Sequence, residues 1–98
     1  MVTGSFVARP ETIDELLGLC LEHVRRSRME PGCLAHAVHR DAENPLRLVF
    51  LEEWDGSAAL AAHFAVPASR AFVKAARNLA AGAPTLNIFE ATPTDISI

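Results

Sequence analysis

Hydrophobic and polar positions change period several times along the chain, and each change marks an element boundary. Val2 to Ala8 (VTGSFVA) has the β-branched and aromatic content of a strand, closed by Arg9-Pro10. Ile13, Leu16, Leu17, Cys20 and Val24 then recur at three- and four-residue spacing, the single apolar face of an amphipathic helix. Thr12 and Glu15 have the spacing of a capping box at its start. Gly18 inside it costs about 1 kcal/mol relative to alanine. Glu30-Pro31-Gly32 ends it, because proline disfavours helix in the residue before it.

Cys33 to Arg40 reads as a second strand. The two-residue period puts Leu34, His36, Val38 and Arg40 on one face and Cys33, Ala35, Ala37 and His39 on the other. After the polar turn Asp41 to Pro45, Arg47 to Trp54 is a third strand, predicted to form an antiparallel hairpin with the second. Asp55-Gly56-Ser57 is a turn, with Ser57 as N-cap of a short helix from Ala58 to Phe64. Pro67 suits the first turn of a further helix, whose face of Phe72, Val73, Ala76, Leu79 and Ala80 runs until Gly82. Thr85 to Ala91 is the last strand, followed by a loose tail or an arm exchanged with a second copy.

The order β-α-β-β-α-β predicts a single α+β domain over residues 1–98. It is ferredoxin-like, with a four-stranded antiparallel sheet and helices on one face. Leu48, Val49, Phe50 and Leu51 are apolar on both faces, whereas a strand exposed on one side alternates. A second copy packed sheet to sheet is the expected cover, so the protein is expected to be a homodimer.

Composition narrows the function. Half the 98 residues are hydrophobic and 21% are charged, as in a core-forming globule. A formal charge of −3 argues against nucleic acid, which needs a basic face. No apolar run reaches the about 18 residues of a membrane span. The first ten residues lack the layout of a signal peptide, and two cysteines make no disulfide framework, so the cytoplasm is the expected compartment. Cys20 and Cys33 could approach one another, and free thiols are the expected state. There is no phosphate-binding glycine loop and no clustered Cys/His spacing. His36 and His39 point to opposite faces, so neither a metal nor another cofactor is expected.

Four short motifs then carry a resemblance: E-P-G-C at Glu30 to Cys33, R-D at Arg40-Asp41, E-E-W at Glu52 to Trp54 and A-L-A-A-H-F at Ala59 to Phe64. In order and spacing, from roughly Val2 to Glu90, the chain resembles the antibiotic biosynthesis monooxygenase family of dimeric α+β barrels. The resemblance implies a homodimer with a cavity between sheet and helices in each protomer. It also implies a cofactor-free monooxygenase that oxidises a quinol or polyphenolic aromatic substrate with molecular oxygen. Alternatives are a non-catalytic dimeric module binding a small ligand, or an isomerase of the same family. The isomerase would need a basic pocket, for which the strand faces offer few cations. The haem-degrading branch relies on an Asn, a Trp and a His at places where this chain has Gly4 or Ser5, His63 and Val73, so haem degradation is not expected.

The candidate residues follow. His63 fits the family's recurring histidine as general base or donor to a substrate anion, or it is a helix-end histidine bonded to a backbone carbonyl. Glu52, sharing a strand face with Phe50 and Trp54, is a second catalytic candidate, as base or as orienter of His63. Its alternative is a buried pair with an arginine of a second copy, and Glu53 replaces it if the strand parity is reversed. Trp54 and Phe50 would stack on an aromatic substrate, or Trp54 is core. His36 stands where relatives commonly carry tyrosine, as a core histidine or a substrate contact. Asn87 is a pocket amide or a dimer hydrogen bond. Arg40 is expected to pair with Asp41 or Glu52, and His23 to lie at the surface.

Overall fold

A computed structural model describes Met1–Ile98 in full. Its elements are β1 (Val2–Val7), α1 (Ile13–Ser27), β2 (Cys33–Arg40), β3 (Arg47–Trp54), α2 (Gly56–Ala65), α3 (Pro67–Leu79) and β4 (Thr85–Ile88). The strands pair antiparallel throughout, in the order β2-β3-β1-β4. The architecture is the expected ferredoxin-like α+β fold.

The core lies between one face of this sheet and the helices. Phe6 of β1, Leu48 and Phe50 of β3, Leu16, Cys20 and Val24 of α1, and Phe72 and Ala76 of α3 form one buried cluster with Ala8 and Ala80. Phe6 meets Phe50 and Phe72 edge to face, with ring centroids 6.1 and 6.0 Å apart, an arrangement that ring quadrupoles favour. A smaller cluster of Val2, Trp54 and Leu60 closes the α2 end. Along β3 the parity is as predicted: Leu48, Phe50, Glu52 and Trp54 point inward, while Leu51 and Glu53 are exposed.

Several local expectations need correction. Thr12 precedes α1, but no capping box forms: its hydroxyl donates 2.6 Å to the Leu79 carbonyl, tying α1 to the end of α3. α2 begins two residues earlier than expected, so Asp55 holds the N-cap position and Ser57 lies within the first turn. α3 stops at Leu79, short of Gly82, and β4 ends at Ile88, short of Ala91. In β2 a bulge falls between Cys33 and Ala35. The extra residue is Leu34, which turns out to solvent at 66% exposure, while Cys33 packs against the Val2–Trp54–Leu60 cluster. Strict alternation had placed those two residues the other way round, and a bulge is what breaks alternation. Arg40 is exposed and makes no ion pair; Asp41 pairs with Arg47 instead, at 3.1 Å across the hairpin turn. Both cysteines are free, and burial pushes the Cys20 thiol up to about 12.

Gly32 fixes how α1 hands over to β2. Its φ is +81°, in the left-handed region, and a Cβ there would stand 2.5 Å from the Ala59 Cβ of α2. Only glycine lets the Glu30-Pro31-Gly32 turn press against α2.

The bulge and the core give a paired test. Leu48→Ala removes a fully buried side chain and should cost about 2–5 kcal/mol in urea unfolding. Leu34→Ala, on the exposed bulge residue, should fall within about 0.5 kcal/mol of wild type. Equal losses would mean that Leu34 packs in the core.

Candidate active site

Between the sheet and α3 lies a cavity of about 650 Å³. Its floor is Gly4, Phe6, Phe50 and Glu52, its inner end is His23 and His63, and α3 contributes Ser69, Phe72 and Val73. Arg70, Lys74 and Arg77 project from successive turns of α3 onto the same cavity. None of these three cations has a carboxylate partner within the chain. The strands are poor in cations, as the sequence suggested, but α3 makes the pocket basic.

The inner end is built from side chains supplied by four elements and one turn. His63, 3% exposed, holds its Nδ1 2.8 Å from Oε1 of Glu30 in the turn after α1. With Nδ1 donating to this carboxylate, Nε2 is left as the free ring nitrogen. The Trp54 ring lies tilted over His63 at 4.5 Å and donates its indole N–H to Glu52 Oε1 at 2.9 Å. His36 Nε2 stands 3.2 Å from the same Glu52 oxygen, an electrostatic contact outside hydrogen-bond alignment. Burial pushes the Glu52 carboxyl up, yet His36, the Trp54 N–H and His63 outweigh it and hold the group below its ordinary 4.5. Glu52 therefore stays ionised in a dry setting.

His23 completes the group. It is 5% exposed and stacks on Phe72 at 4.1 Å and 7°, where a surface position was expected. The apolar face of α1 is wider than its aliphatic residues alone suggested, and an imidazole fits its edge. The Arg26 guanidinium donates to His23 Nδ1 at 3.0 Å, so the neutral ring carries its proton on Nε2. Burial, reinforced by His36, His63 and Arg26, pushes this histidine down to about 3.

Of the residues named from sequence, the fold brings His63, Glu52 and Phe50 to the cavity wall and sets Trp54 and His36 directly behind it. It does not bring Asn87 there. Asn87 is exposed, opposite Thr3, and Thr3 lies opposite Leu51, so all three share the sheet face turned away from the helices. Glu30, His23 and Ser69 were missed as site residues. Glu30 sits in the E-P-G-C motif, which was the one available signal. Ser69, 4% exposed with a hydroxyl that has no partner, gave none.

A cavity over the inner sheet face thus has a histidine and a carboxylate at its closed end. The sequence profile of the antibiotic biosynthesis monooxygenase family matches residues 1–75. The chain belongs to the antibiotic biosynthesis monooxygenase family. A crystal structure of an antibiotic biosynthesis monooxygenase is 34% identical over 94% of this chain and 97% of its own, with a TM-score of 0.86. A Deinococcus radiodurans protein bearing the same family name is 26% identical over 100% and 99%, with a TM-score of 0.92. A Mycobacterium tuberculosis protein, 22% identical over 98% and 95% with a TM-score of 0.86, shares the fold. Among curated proteins none matches the chain at a significant level. No helix is long and apolar enough to cross a membrane.

The buried ionisable groups set a pH dependence. The unfolded chain protonates His23 below about 6.5 while the fold keeps it neutral down to about 3, so stability is complete above 6.5 and declines as pH falls. Glu52 acts in the same sense below 4.5. The urea midpoint should therefore fall from pH 7 to pH 4, and His23→Phe should flatten the decline between 6.5 and 4.5. An unchanged slope in that variant would show that His23 is not its source.

Proposed function

We propose that the protein is a monooxygenase that oxidises a quinol or polyphenolic aromatic substrate with molecular oxygen and requires no resident cofactor. The observation that carries this reading is the Glu30–His63 pair at 2.8 Å, closing a cavity walled by Phe50, Phe72 and Phe6. A phenolic hydroxyl at that end gives its proton to His63 Nε2, and the Glu30 carboxylate stabilises the imidazolium that forms. Arg70, Lys74 and Arg77 favour the substrate anion electrostatically. The electron-rich anion then passes an electron to oxygen, and the two radicals combine at a ring carbon that carries a hydrogen. The imidazolium returns its proton to give a hydroperoxide; loss of that carbon's hydrogen with cleavage of the O–O bond leaves a carbonyl and releases water. Glu52, held ionised beside His36, orients the histidine end of the pocket. Trp54 fixes both through its ring and its N–H.

The working unit of this reading is a homodimer. Val7 and Leu51 on the outer sheet face are 38% and 42% exposed, and Val49 lies between them half-buried. A second copy covering this face would form an interface above about 1,000 Å². Asn87, on the same face, supplies a hydrogen bond there. The alternative, a module that binds an aromatic anion without converting it, shares the cavity and differs in chemistry alone.

Oxygen uptake by purified protein across a panel of quinols and anthrones decides between the two. Turnover is expected with at least one of them, and His63→Ala should lower it by about 10² or more. Binding without uptake across the panel would favour the module, and a fully active His63→Ala would make the histidine structural. Light scattering at micromolar concentration should give a dimer, reduced to monomer or aggregate by Leu51→Asp. A wild-type monomer would overturn the assembly.

A further inference from the structure

Three imidazoles from three separate elements meet in the interior: His23 of α1, His36 of β2 and His63 of α2. Their ring centroids form a nearly equilateral triangle with sides of 5.4, 5.3 and 5.5 Å. All three residues are 5% exposed or less. One ring nitrogen from each lies within 4.8 Å of the other two. Nitrogens bound tetrahedrally to a single ion at ~2.1 Å stand about 3.4 Å apart, so a shift below about 1 Å per ring would close the set.

Two observations point to a cation as occupant. The side chain of His36 is 0% exposed, yet its Nδ1 has no partner and its Nε2 only faces Glu52 Oε1 at 3.2 Å, outside hydrogen-bond alignment. Buried polar groups in native proteins are normally partnered, and each exception asks for a reason. In addition, the carboxylates of Glu30 and Glu52 are both largely buried against this cluster, each with a histidine nitrogen within 3.2 Å, and Glu52 also accepts from the Trp54 N–H. No lysine or arginine neutralises them. Buried carboxylates are paired or serve metals, and one divalent ion would balance both charges.

We propose that His23, His36 and His63 bind one divalent transition-metal ion of the imidazole-preferring kind, such as zinc, cobalt, nickel or copper, with its open coordination position facing the cavity. Glu30 then holds the Nδ1–H of a ligating His63, the carboxylate–histidine–metal relay that orients such ligands. Arg26 opposes loading. It donates to His23 Nδ1, so ligation through Nε2 moves that ring's proton to Nδ1 and releases the guanidinium. The spacing His36-x-x-His39 had suggested no metal because those two rings face opposite ways. The cluster is assembled across α1, β2 and α2 and leaves no such signature. Metal binding does not rest on the oxygenase reading. The two compete for His63 Nε2, so the loaded protein would be the form without base catalysis.

The test is titration of chelator-treated protein with Co²⁺, followed by the strong visible d–d bands of four-coordinate cobalt, with equilibrium dialysis against Zn²⁺. One ion per chain is expected. His36→Phe and His23→Phe, each checked for folding by circular dichroism, should abolish the bands. Glu30→Gln should weaken zinc binding about 10–100-fold. Arg26→Gln, whose amide oxygen can accept from Nδ1–H, should tighten it. His39→Ala and Cys33→Ser should change nothing. Absence of stoichiometric binding, or binding unchanged in both folded histidine variants, would overturn the proposal. Neither result bears on oxygen uptake, which is read separately in metal-free protein.

Discussion

Burying three imidazoles and two carboxylates against one another is the constraint on which the rest of this structure depends. None of the five can be left charged and alone in a dry interior, so they are packed against one another. Glu52 remains ionised because His36, Trp54 and His63 face it, and His23 remains neutral because burial, with His36, His63 and Arg26 beside it, disfavours a proton. The aromatic residues serve the same end. Phe72 stacks on His23 and Trp54 lies over His63, which keeps water from the rings and fixes their planes. A closed polar end joined to an open apolar cavity is the outcome.

Much of the fold was legible because the hydrophobic periods are clean. The phase of β3 placed Phe50, Glu52 and Trp54 inward, and the E-P-G turn separated α1 from β2. Sequence failed where a tertiary contact overrode a local signal. Thr12 spends its hydroxyl on Leu79 rather than on its own helix, and Leu34 bulges outward although its neighbours alternate. For the site, His63 and Glu52 were legible through short motifs and strand phase. Glu30, His23 and Ser69 were not, because their roles depend on which elements the sheet topology brings side by side. Of the two readings of Asn87, pocket amide or dimer hydrogen bond, the structure removes the first: a polar residue in an apolar strand looks buried, but β4 is an edge strand and exposed.

The family relationship and the site carry different amounts of information. The fold is shared with proteins at 22% identity, and a shared fold does not fix chemistry. What bears on chemistry in this chain is the cavity itself, with a carboxylate-held histidine at one end and three cations without carboxylate partners on α3 along its length. An apolar body with a negative group is the ligand shape that such a lining complements. In the proposed reaction the polar end handles protons while the helix sets charge preference, and the two lie on different elements.

Gly32 has no functional group and lies outside the cavity lining, yet the geometry of the Glu30–His63 pair runs through it. A side chain there would collide with Ala59 and push the turn away from α2, taking Glu30 from His63. In a deep mutational scan read out by activity, every substitution at Gly32 would therefore score like the loss of a reacting group. The map of sensitive positions would include a backbone hinge with no chemistry of its own. The converse also holds. A side chain at this position is accommodated only by a change in the turn, in α2 or at Ala59, so the residue here reports on how the Glu30–His63 pair is held.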